Sequence, residues 1–168
     1  MIKKFNLFFL TFFFIGKIKY APGTVASLVA CLLFLLLINI LNISVILLCT
    51  LIIFCYSFVA ISNSFENFDA EDPQEIVIDE VVGQMLPLLA IPIYETLYLL
   101  PKIYYCVAAF LAFRLFDIWK PYPISYVDNE VKGAFGIMLD DILASIYSII
   151  VLTIIFFFLG GWINEDAW

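Results

Sequence analysis

The sequence predicts an all-α fold, a helical bundle embedded in a membrane, and three observations support this prediction. Hydrophobic residues make up 65% of the 168 residues, whereas charged residues make up only 14%. The mean hydropathy is +1.09, and a soluble domain of this length could not bury so many apolar side chains. Several apolar runs approach the roughly 20 residues that a helix needs to cross a membrane. We therefore expect one membrane-embedded domain over residues 1–168, with four to five transmembrane segments.

Four apolar runs are the clearest candidates for spanning helices, namely 23–41, 43–61, 103–119 and 142–159. Only Asn42 separates the first two runs, so they must form a tight helical hairpin if both span. A fifth candidate at 81–100 is interrupted by Pro87, Pro92 and Glu95. Because proline removes a helical hydrogen bond, we expect this segment to be short or kinked.

The N-terminal segment resembles a secretory signal peptide, but no small-residue cleavage site follows it. We expect an interfacial helix there instead. Lysines 3, 4, 17 and 19 precede the first span, which predicts a cytoplasmic N-terminus by the positive-inside rule. With five spans, three polar segments would lie on the cytoplasmic side, at 16–27, 62–80 and 120–141.

Most of the acidic residues fall in or beside these three segments, which predicts a polar site on one face of the membrane. The run at 66–72 is interpreted as a solvated connection. Asp79 and Glu80 stand among apolar residues, where ionised groups at the edge of a span are usually functional. Glu75 and Asp79 are four residues apart, as are Glu80 and Gln84, so a helix would place each pair on one face. This helix end could supply part of a metal site.

A second polar cluster lies at the end of the predicted span 103–119. Arg114, Asp117 and Lys120 recur at every third residue, so a helix would align them along one edge. Two prolines then end the helix. Interface snorkelling with a mutual salt bridge is the alternative, although Arg114 lies far inside the apolar run.

A third cluster sets Gly133 and Gly136 ahead of Asp140 and Asp141 at the expected start of the last span. Glycines let backbone N–H groups face an anion, and helix N-termini favour such ligands. Two adjacent carboxylates would repel that anion unless a divalent cation lay between them. The alternative for Asp140 is a helix N-cap.

Four blocks of the sequence resemble those of the bacterial phosphatidylglycerophosphatase A family, in the same order. They are APGTVAS at 21–27, DPQEIVIDEVVGQ at 72–84, FRLFDIWKPYPI at 113–124 and GIMLDD at 136–141. The resemblance implies a magnesium-dependent hydrolase of the bacterial inner membrane, which converts phosphatidylglycerophosphate to phosphatidylglycerol and inorganic phosphate. One departure is Ser145, which stands where the family usually has glycine.

The residue types limit the mechanism independently of this resemblance. The chain has no histidine, which excludes histidine phosphatases and Ser-His-Asp hydrolases. The four cysteines lie in apolar runs, none begins a Cys-x5-Arg loop, and no DxDx[TV] motif occurs. Chemistry based on a metal and carboxylates remains.

We expect Mg²⁺ to be held by oxygen ligands from a set of carboxylates, one of which also acts as the base. These candidate catalytic and metal-binding residues are Asp79, Glu80, Asp117, Asp140 and Asp141. The candidate substrate-binding residues are Arg114, Lys120, Thr24, Ser27, Lys132, Gly133 and Gly136. Thr24 and Ser27 could instead cap the first span. All of them should meet at the cytoplasmic face.

The expected partners are the lipid bilayer and a phospholipid substrate, and no nucleic-acid partner is expected. The net charge of −7 would repel an anionic headgroup at a distance, so local cations and the metal must overcome it. Two other classes of protein remain open. A small ion transporter could use the intramembrane carboxylates along its path, and a non-enzymatic subunit could use them for helix association.

Overall fold

The computed structural model describes residues 2–64, 75–98 and 101–165, and within these ranges all regular structure is helical. The α-helices are α1 Ile2–Leu10, α2 Pro22–Leu37, α3 Ile43–Ser64, α4 Ile78–Leu89, α5 Ile91–Tyr98, α6 Lys102–Trp119, α7 Ile124–Glu130 and α8 Gly133–Glu165. A short 3₁₀ turn at Ile15–Lys17 precedes α2. The all-α expectation is confirmed for the described part of the chain, which leaves out the predicted solvated connection at 66–72.

Among the described residues, two helices are long and apolar enough to cross a membrane by length and composition, α3 and the Gly133–Phe158 part of α8. The shorter α2 is also apolar, and the predicted count of four to five spans stays a prediction. The last helix begins at Gly133, well before the predicted residue 142. The prediction was late because the first turns of this helix contain polar residues and glycines, which lower the local hydropathy. Its 33 residues extend about 50 Å, so its first turns can lie outside a hydrocarbon core of about 30 Å.

The outer faces of α2 and α6 carry large apolar side chains at helical spacing. Leu28, Leu32 and Leu36 are exposed on α2, and Leu111 and Leu115 are exposed on α6. Similar exposed apolar side chains occur along α3 and α8. A soluble protein rarely exposes contiguous apolar surface of this kind, so these faces suit contact with lipid.

Helix α4 lies at the centre of the bundle and packs against α2, α3, α6 and α8. Its 12 residues extend only about 18 Å, which is too short to cross a membrane. Pro87 lies inside the helix, and the chain turns at Ala90 before α5 begins. The expected interruption of the segment 81–100 is therefore confirmed, although 99 and 100 are outside the described residues.

Helix α1 packs onto the bundle through polar as well as apolar contacts. The Tyr56 hydroxyl of α3 donates a hydrogen bond of 2.8 Å to the buried Asn6 side chain. The Val77 N–H donates to the Leu10 carbonyl at 3.0 Å, just before α4 begins. The N-terminal helix thus contacts the segment that leads into α4, and its interfacial position stays a prediction.

Candidate active site

A cavity of about 480 Å³ lies where the start of α2, the start of α4, the end of α6 and the start of α8 meet. It brings together all but one of the predicted site residues, namely Thr24, Asp79, Glu80, Arg114, Asp117, Lys120, Lys132, Gly133, Gly136, Asp140 and Asp141. The exception is Ser27. The other lining residues, which the sequence did not lead us to assign to the site, include Lys19, Gly23 and Asp128.

Three carboxylates form a compact cluster in this cavity. One oxygen from each of Asp79, Glu80 and Asp141 lies within 4.8 Å of the other two. In the described part of the chain, Asp79 Oδ1, Glu80 Oε2 and Asp141 Oδ2 are buried and have no hydrogen-bond partner. Buried polar atoms are normally paired, so these oxygens have the arrangement expected of ligands for a cation.

The electrostatics of the cluster point the same way. Burial, together with the charge of Glu80, raises the pKa of Asp79 well above its usual value, and burial raises the pKa of Glu80 to about 7. Without a cation, these carboxylates would therefore tend to hold protons. A divalent cation reverses this preference, and Mg²⁺ prefers carboxylate oxygen ligands. The donor set therefore fits Mg²⁺.

A glycine on α4 allows the two helices that carry this cluster to approach closely. A Cβ atom at Gly83 would lie 2.8 Å from the Phe113 ring and 3.1 Å from the Cβ of Asp141. The Ser145 hydroxyl lies 2.6 Å from the Gly83 carbonyl oxygen and 2.7 Å from the Asp141 carbonyl oxygen. Ser145 therefore joins α4 to α8 beside the cluster, which gives this departure from the family pattern a structural role.

A second close approach places the start of α2 against Glu80. A Cβ atom at Gly23 would lie 1.9 Å from Glu80 Oε1, which is far shorter than a non-bonded contact allows. The only sequence signal for this contact is a glycine at the start of an apolar helix, and glycine also occurs at helix starts that contact no functional group. The contact depends on how α2 packs against α4, which no local pattern contains.

The alternative that Thr24 or Ser27 caps the first span is wrong. The N-cap is Ala21, which makes no side-chain capping bond, so neither Thr24 nor Ser27 caps this helix. Ser27 is fully buried and donates a hydrogen bond of 2.9 Å to the Gly23 carbonyl oxygen one turn earlier. Because its hydroxyl is used inside the helix and does not line the cavity, a substrate contact by Ser27 is not supported. Thr24 does line the cavity.

Arg114 and Asp117 form an ion pair on α6, with Nη1 and Oδ2 2.5 Å apart. Their side chains are only 14% and 12% exposed, which argues against snorkelling to the membrane surface. The ion pair is close but lacks hydrogen-bond alignment, and Nε and Nη1 of Arg114 have no hydrogen-bond partner among the described residues. The guanidinium therefore retains donors for an anion in the cavity.

The predicted alignment of Lys120 with Arg114 and Asp117 is wrong. Lys120 follows the last residue of α6 and adopts a left-handed conformation with φ of 46°. Its amine forms ion pairs with Asp128 on α7 and, at 2.8 Å, with Oδ2 of Asp140 on α8. Burial alone would lower the pKa of Lys120, but hydrogen bonds to these two carboxylates raise it above its usual value. Lys120 therefore remains charged and joins three helices.

This bridge gives a stability prediction. Lys120→Met would leave Asp128 and Asp140 close together without their cation, and we expect the free energy of unfolding to fall by about 2 kcal/mol, less than for a fully buried pair. The matched control is Lys102→Met, whose partner Glu95 is 3.8 Å away with a side chain that is 39% exposed. Because this pair is longer and more exposed, we expect a change of at most about 0.5 kcal/mol. Denaturant titration of both purified variants measures the difference. Equal losses would contradict the bridge.

The start of α8 also corrects the sequence interpretation. Gly133 begins the helix with φ of +76°, and a Cβ atom at Gly136 would lie 1.9 Å from the Val131 carbonyl oxygen. Asp140 and Asp141 lie about two turns inside the helix, so the N-cap alternative for Asp140 is wrong. The Asp141 N–H instead donates to Oδ1 of Asp140 at 3.0 Å.

The predicted helical pairs around α4 are half correct. Glu75 precedes the first residue of α4 and is exposed, so it does not share a helical face with Asp79. Glu80 and Gln84 do lie on one helix. Gln84 is fully buried, and neither of its side-chain amide atoms has a hydrogen-bond partner within the described ranges.

Comparison with known proteins identifies the family of the chain. The phosphatidylglycerophosphatase A family matches residues 8–156. A Haemophilus influenzae phosphatidylglycerophosphatase A is 38% identical over 137 residues, which cover 82% of this chain and 80% of that protein. The Escherichia coli K12 protein of the same name is 32% identical over 133 residues, which cover 79% of this chain and 73% of that protein.

A third relative carries a different name. A Bacteroides thetaiotaomicron protein, provisionally named a phosphatidylinositol-3-phosphatase, is 36% identical over 142 residues, covering 83% of this chain and 86% of that protein. No solved structure matches the chain. The match over most of the sequence confirms the resemblance seen in the four blocks, and the chain belongs to the phosphatidylglycerophosphatase A family of phosphatase enzymes.

Proposed function

We propose that this protein hydrolyses the terminal phosphate of phosphatidylglycerophosphate in a reaction that requires Mg²⁺, releasing phosphatidylglycerol and inorganic phosphate. The observation that carries the proposal is the cluster of Asp79, Glu80 and Asp141, whose unpaired buried oxygens lie in the same cavity as Arg114. Carboxylates with a divalent cation and a guanidinium suit a phosphomonoester dianion. This combination of groups also agrees with the two relatives named phosphatidylglycerophosphatase A.

Each part of the cavity has a role in this reaction. Asp79, Glu80 and Asp141 would hold Mg²⁺, which when bound neutralises phosphoryl oxygens and makes water more acidic. Arg114 binds the phosphoryl group through donors that its neighbour Asp117 leaves free. A carboxylate of the cavity accepts the proton of the attacking water.

The remaining predicted residues then act mainly by position. Asp117 orients Arg114, and Lys120 holds Asp140 in place through the ion pair between them. This assignment changes the expected role of Lys120, because its amine is already engaged by two carboxylates. Lys132, Gly133 and Gly136 line the same cavity and stay candidates for contact with the headgroup.

The proposed membrane arrangement places the cavity at the cytoplasmic face of the inner membrane. Helices α2, α3, α6 and α8 would span, because each has exposed apolar side chains along its length. The broken segment α4–α5 would make the remaining crossing, since the start of α2 and the end of α6 line the same cavity and must lie on the same side. The lysines ahead of α2 favour the cytoplasm for this end of the bundle. The acyl chains of the substrate could then stay in the leaflet while its headgroup enters the cavity.

A second candidate substrate is phosphatidylinositol 3-phosphate, which the Bacteroides thetaiotaomicron relative favours by its name. Both lipids present a phosphomonoester on a headgroup, so the same carboxylates and guanidinium could act on either. They differ in the group that carries the phosphate, a flexible glycerol or a rigid inositol ring. The ratio of the two activities therefore decides between them.

The test is phosphate release by the purified protein in mixed micelles of either lipid, with Mg²⁺ or with a chelator. We expect Mg²⁺-dependent release that is faster from phosphatidylglycerophosphate. Faster release from phosphatidylinositol 3-phosphate would favour the second candidate. No release from either lipid by a folded sample would contradict both candidates, and ion flux through vesicles containing the protein would then favour a transporter.

Metal binding has a readout that does not depend on turnover. Added Mg²⁺ should raise the melting temperature of the wild-type protein, because a ligand that binds the folded state stabilises it by mass action. The same addition should have little effect on Asp79→Asn. An equal increase in both proteins would place the ion elsewhere.

A further inference from the structure

The wall of the cavity reaches the outer surface of the bundle between α2 and α6. Thr24 of α2 and Arg114 and Ile118 of α6 all line the cavity, and the two helices are in contact. Ile118 is nevertheless 70% exposed. Ile118 therefore belongs both to the lining of the polar cavity and to the apolar outer surface. The cavity thus borders the outside of the bundle between α2 and α6.

The two helices continue side by side away from the cavity. The Cys106 thiol of α6 lies 4.0 Å from the Cys31 carbonyl oxygen of α2. Cys31 follows Thr24 by about two turns, and Cys106 precedes Arg114 by about two turns. The helices are therefore antiparallel neighbours for at least about 10 Å below the cavity.

The face of α2 beside α6 is apolar and accessible. With 3.6 residues per turn, Thr24 and Leu28 lie within about 60° of Cys31 around the helix, and Leu32 lies within about 100°. Leu28 is 48% exposed and Leu32 is 55% exposed. An exposed apolar strip thus runs along α2 from the cavity residue Thr24.

The face of α6 beside α2 has the same character. Phe110, Arg114 and Val107 lie within about 100° of Cys106 around the helix. Val107 is 50% exposed and Phe110 is partly buried. The two strips, Leu28 and Leu32 with Val107 and Phe110, flank the line of contact between the helices, and we call them the α2–α6 seam.

We propose that an acyl chain of the lipid substrate lies along the α2–α6 seam while the headgroup enters the cavity between Thr24 and Arg114. The inference rests on the proposed function, and it adds the route by which the lipid reaches the site. The seam is apolar along its exposed length, continues into the polar cavity, and has a cation at the junction. A lipid phosphomonoester has the same order of groups, from hydrocarbon to anion.

Cross-linking tests this route without relying on turnover. The probe is a phosphonate analogue of phosphatidylglycerophosphate with a diazirine in one acyl chain, added to phosphatidylcholine vesicles that contain the wild-type protein. After illumination, mass spectrometry should find adducts on the seam, and excess unlabelled substrate should reduce them at least about fivefold. Adducts at Leu115 should not be reduced, because this exposed residue lies about 180° from Cys106 on α6.

Kinetics on two seam variants give an independent measurement. Leu28→Trp and Val107→Trp add bulk to the seam, so we expect the KM for lipid in mixed micelles to rise about tenfold with little change in kcat. The matched control, Leu115→Trp, should leave both constants near wild type. Unchanged KM in both seam variants, with adducts that unlabelled substrate does not reduce, would overturn the seam. Wild-type phosphate release would still uphold the proposed function, whereas its absence would reject that function itself.

Discussion

Replacing Asp79 or Asp141 with asparagine is expected to lower phosphate release by about 1000-fold. Each change removes one carboxylate from the cluster whose oxygens lie within 4.8 Å of one another. The loss corresponds to several kcal/mol of transition-state stabilisation, at about 1.4 kcal/mol for each tenfold in rate. The measurement is the rate of phosphate release at saturating Mg²⁺ and lipid.

The same variants should remain folded, and this separates a catalytic role from a structural one. Asp79 Oδ1 and Asp141 Oδ2 have no hydrogen-bond partner among the described residues, so asparagine breaks no observed side-chain bond at these atoms. It also removes a negative charge from a crowded site. We expect the melting temperature in chelator to be at least as high as that of the wild type.

The control for this prediction is Glu130→Gln, which removes an exposed carboxylate at the end of α7, outside the cavity lining. We expect its activity and stability to be close to wild type, since isolated surface changes usually have small effects. Wild-type activity in either cluster variant would disprove the assignment of that residue. A large loss of stability in chelator would instead indicate that the carboxylates hold the bundle together.

The sequence predicted much of the site because its chemistry occurs in short blocks with unusual residue types. Carboxylates and an arginine at the edges of apolar runs have few structural uses, and the structure brings Asp79, Glu80, Arg114 and Asp141 into one cavity. Composition likewise predicted a helical fold, because long apolar runs leave few other structures possible in a membrane.

The errors arise where tertiary contacts decide the outcome. The spacing of Lys120 suggested a helical edge, but the helix ends at Trp119 and the left-handed turn directs the amine to Asp128 and Asp140. No local pattern reports such a turn before a proline pair. Hydropathy also placed the start of the last helix too late, because the polar first turns of α8 contain glycines and carboxylates that resemble a loop.

Gly23→Ala is expected to lower kcat/KM by about 100-fold, although it adds only one methyl group. The new Cβ atom would lie 1.9 Å from Glu80 Oε1, so Glu80 or the start of α2 must move by about 1 Å or more to reach ordinary contact distance. A displacement of about 1 Å in a catalytic arrangement can lower the rate by about 100-fold. The carboxylate that moves belongs to the proposed metal ligands, so the concentration of Mg²⁺ needed for half-maximal activity should also rise.

The control is Val25→Ala, which removes bulk two residues along the same helix at a position that does not line the cavity. Its activity and Mg²⁺ requirement should resemble those of the wild type, even if its stability falls slightly. If Gly23→Ala lowers stability but leaves the Mg²⁺ requirement unchanged, the close approach is only a packing contact. A raised Mg²⁺ requirement in Gly23→Ala but not in Val25→Ala would instead connect the start of α2 to the geometry of the carboxylate cluster. The glycine of the APGTVAS block would then be present because the Glu80 carboxylate occupies the space that a side chain would need.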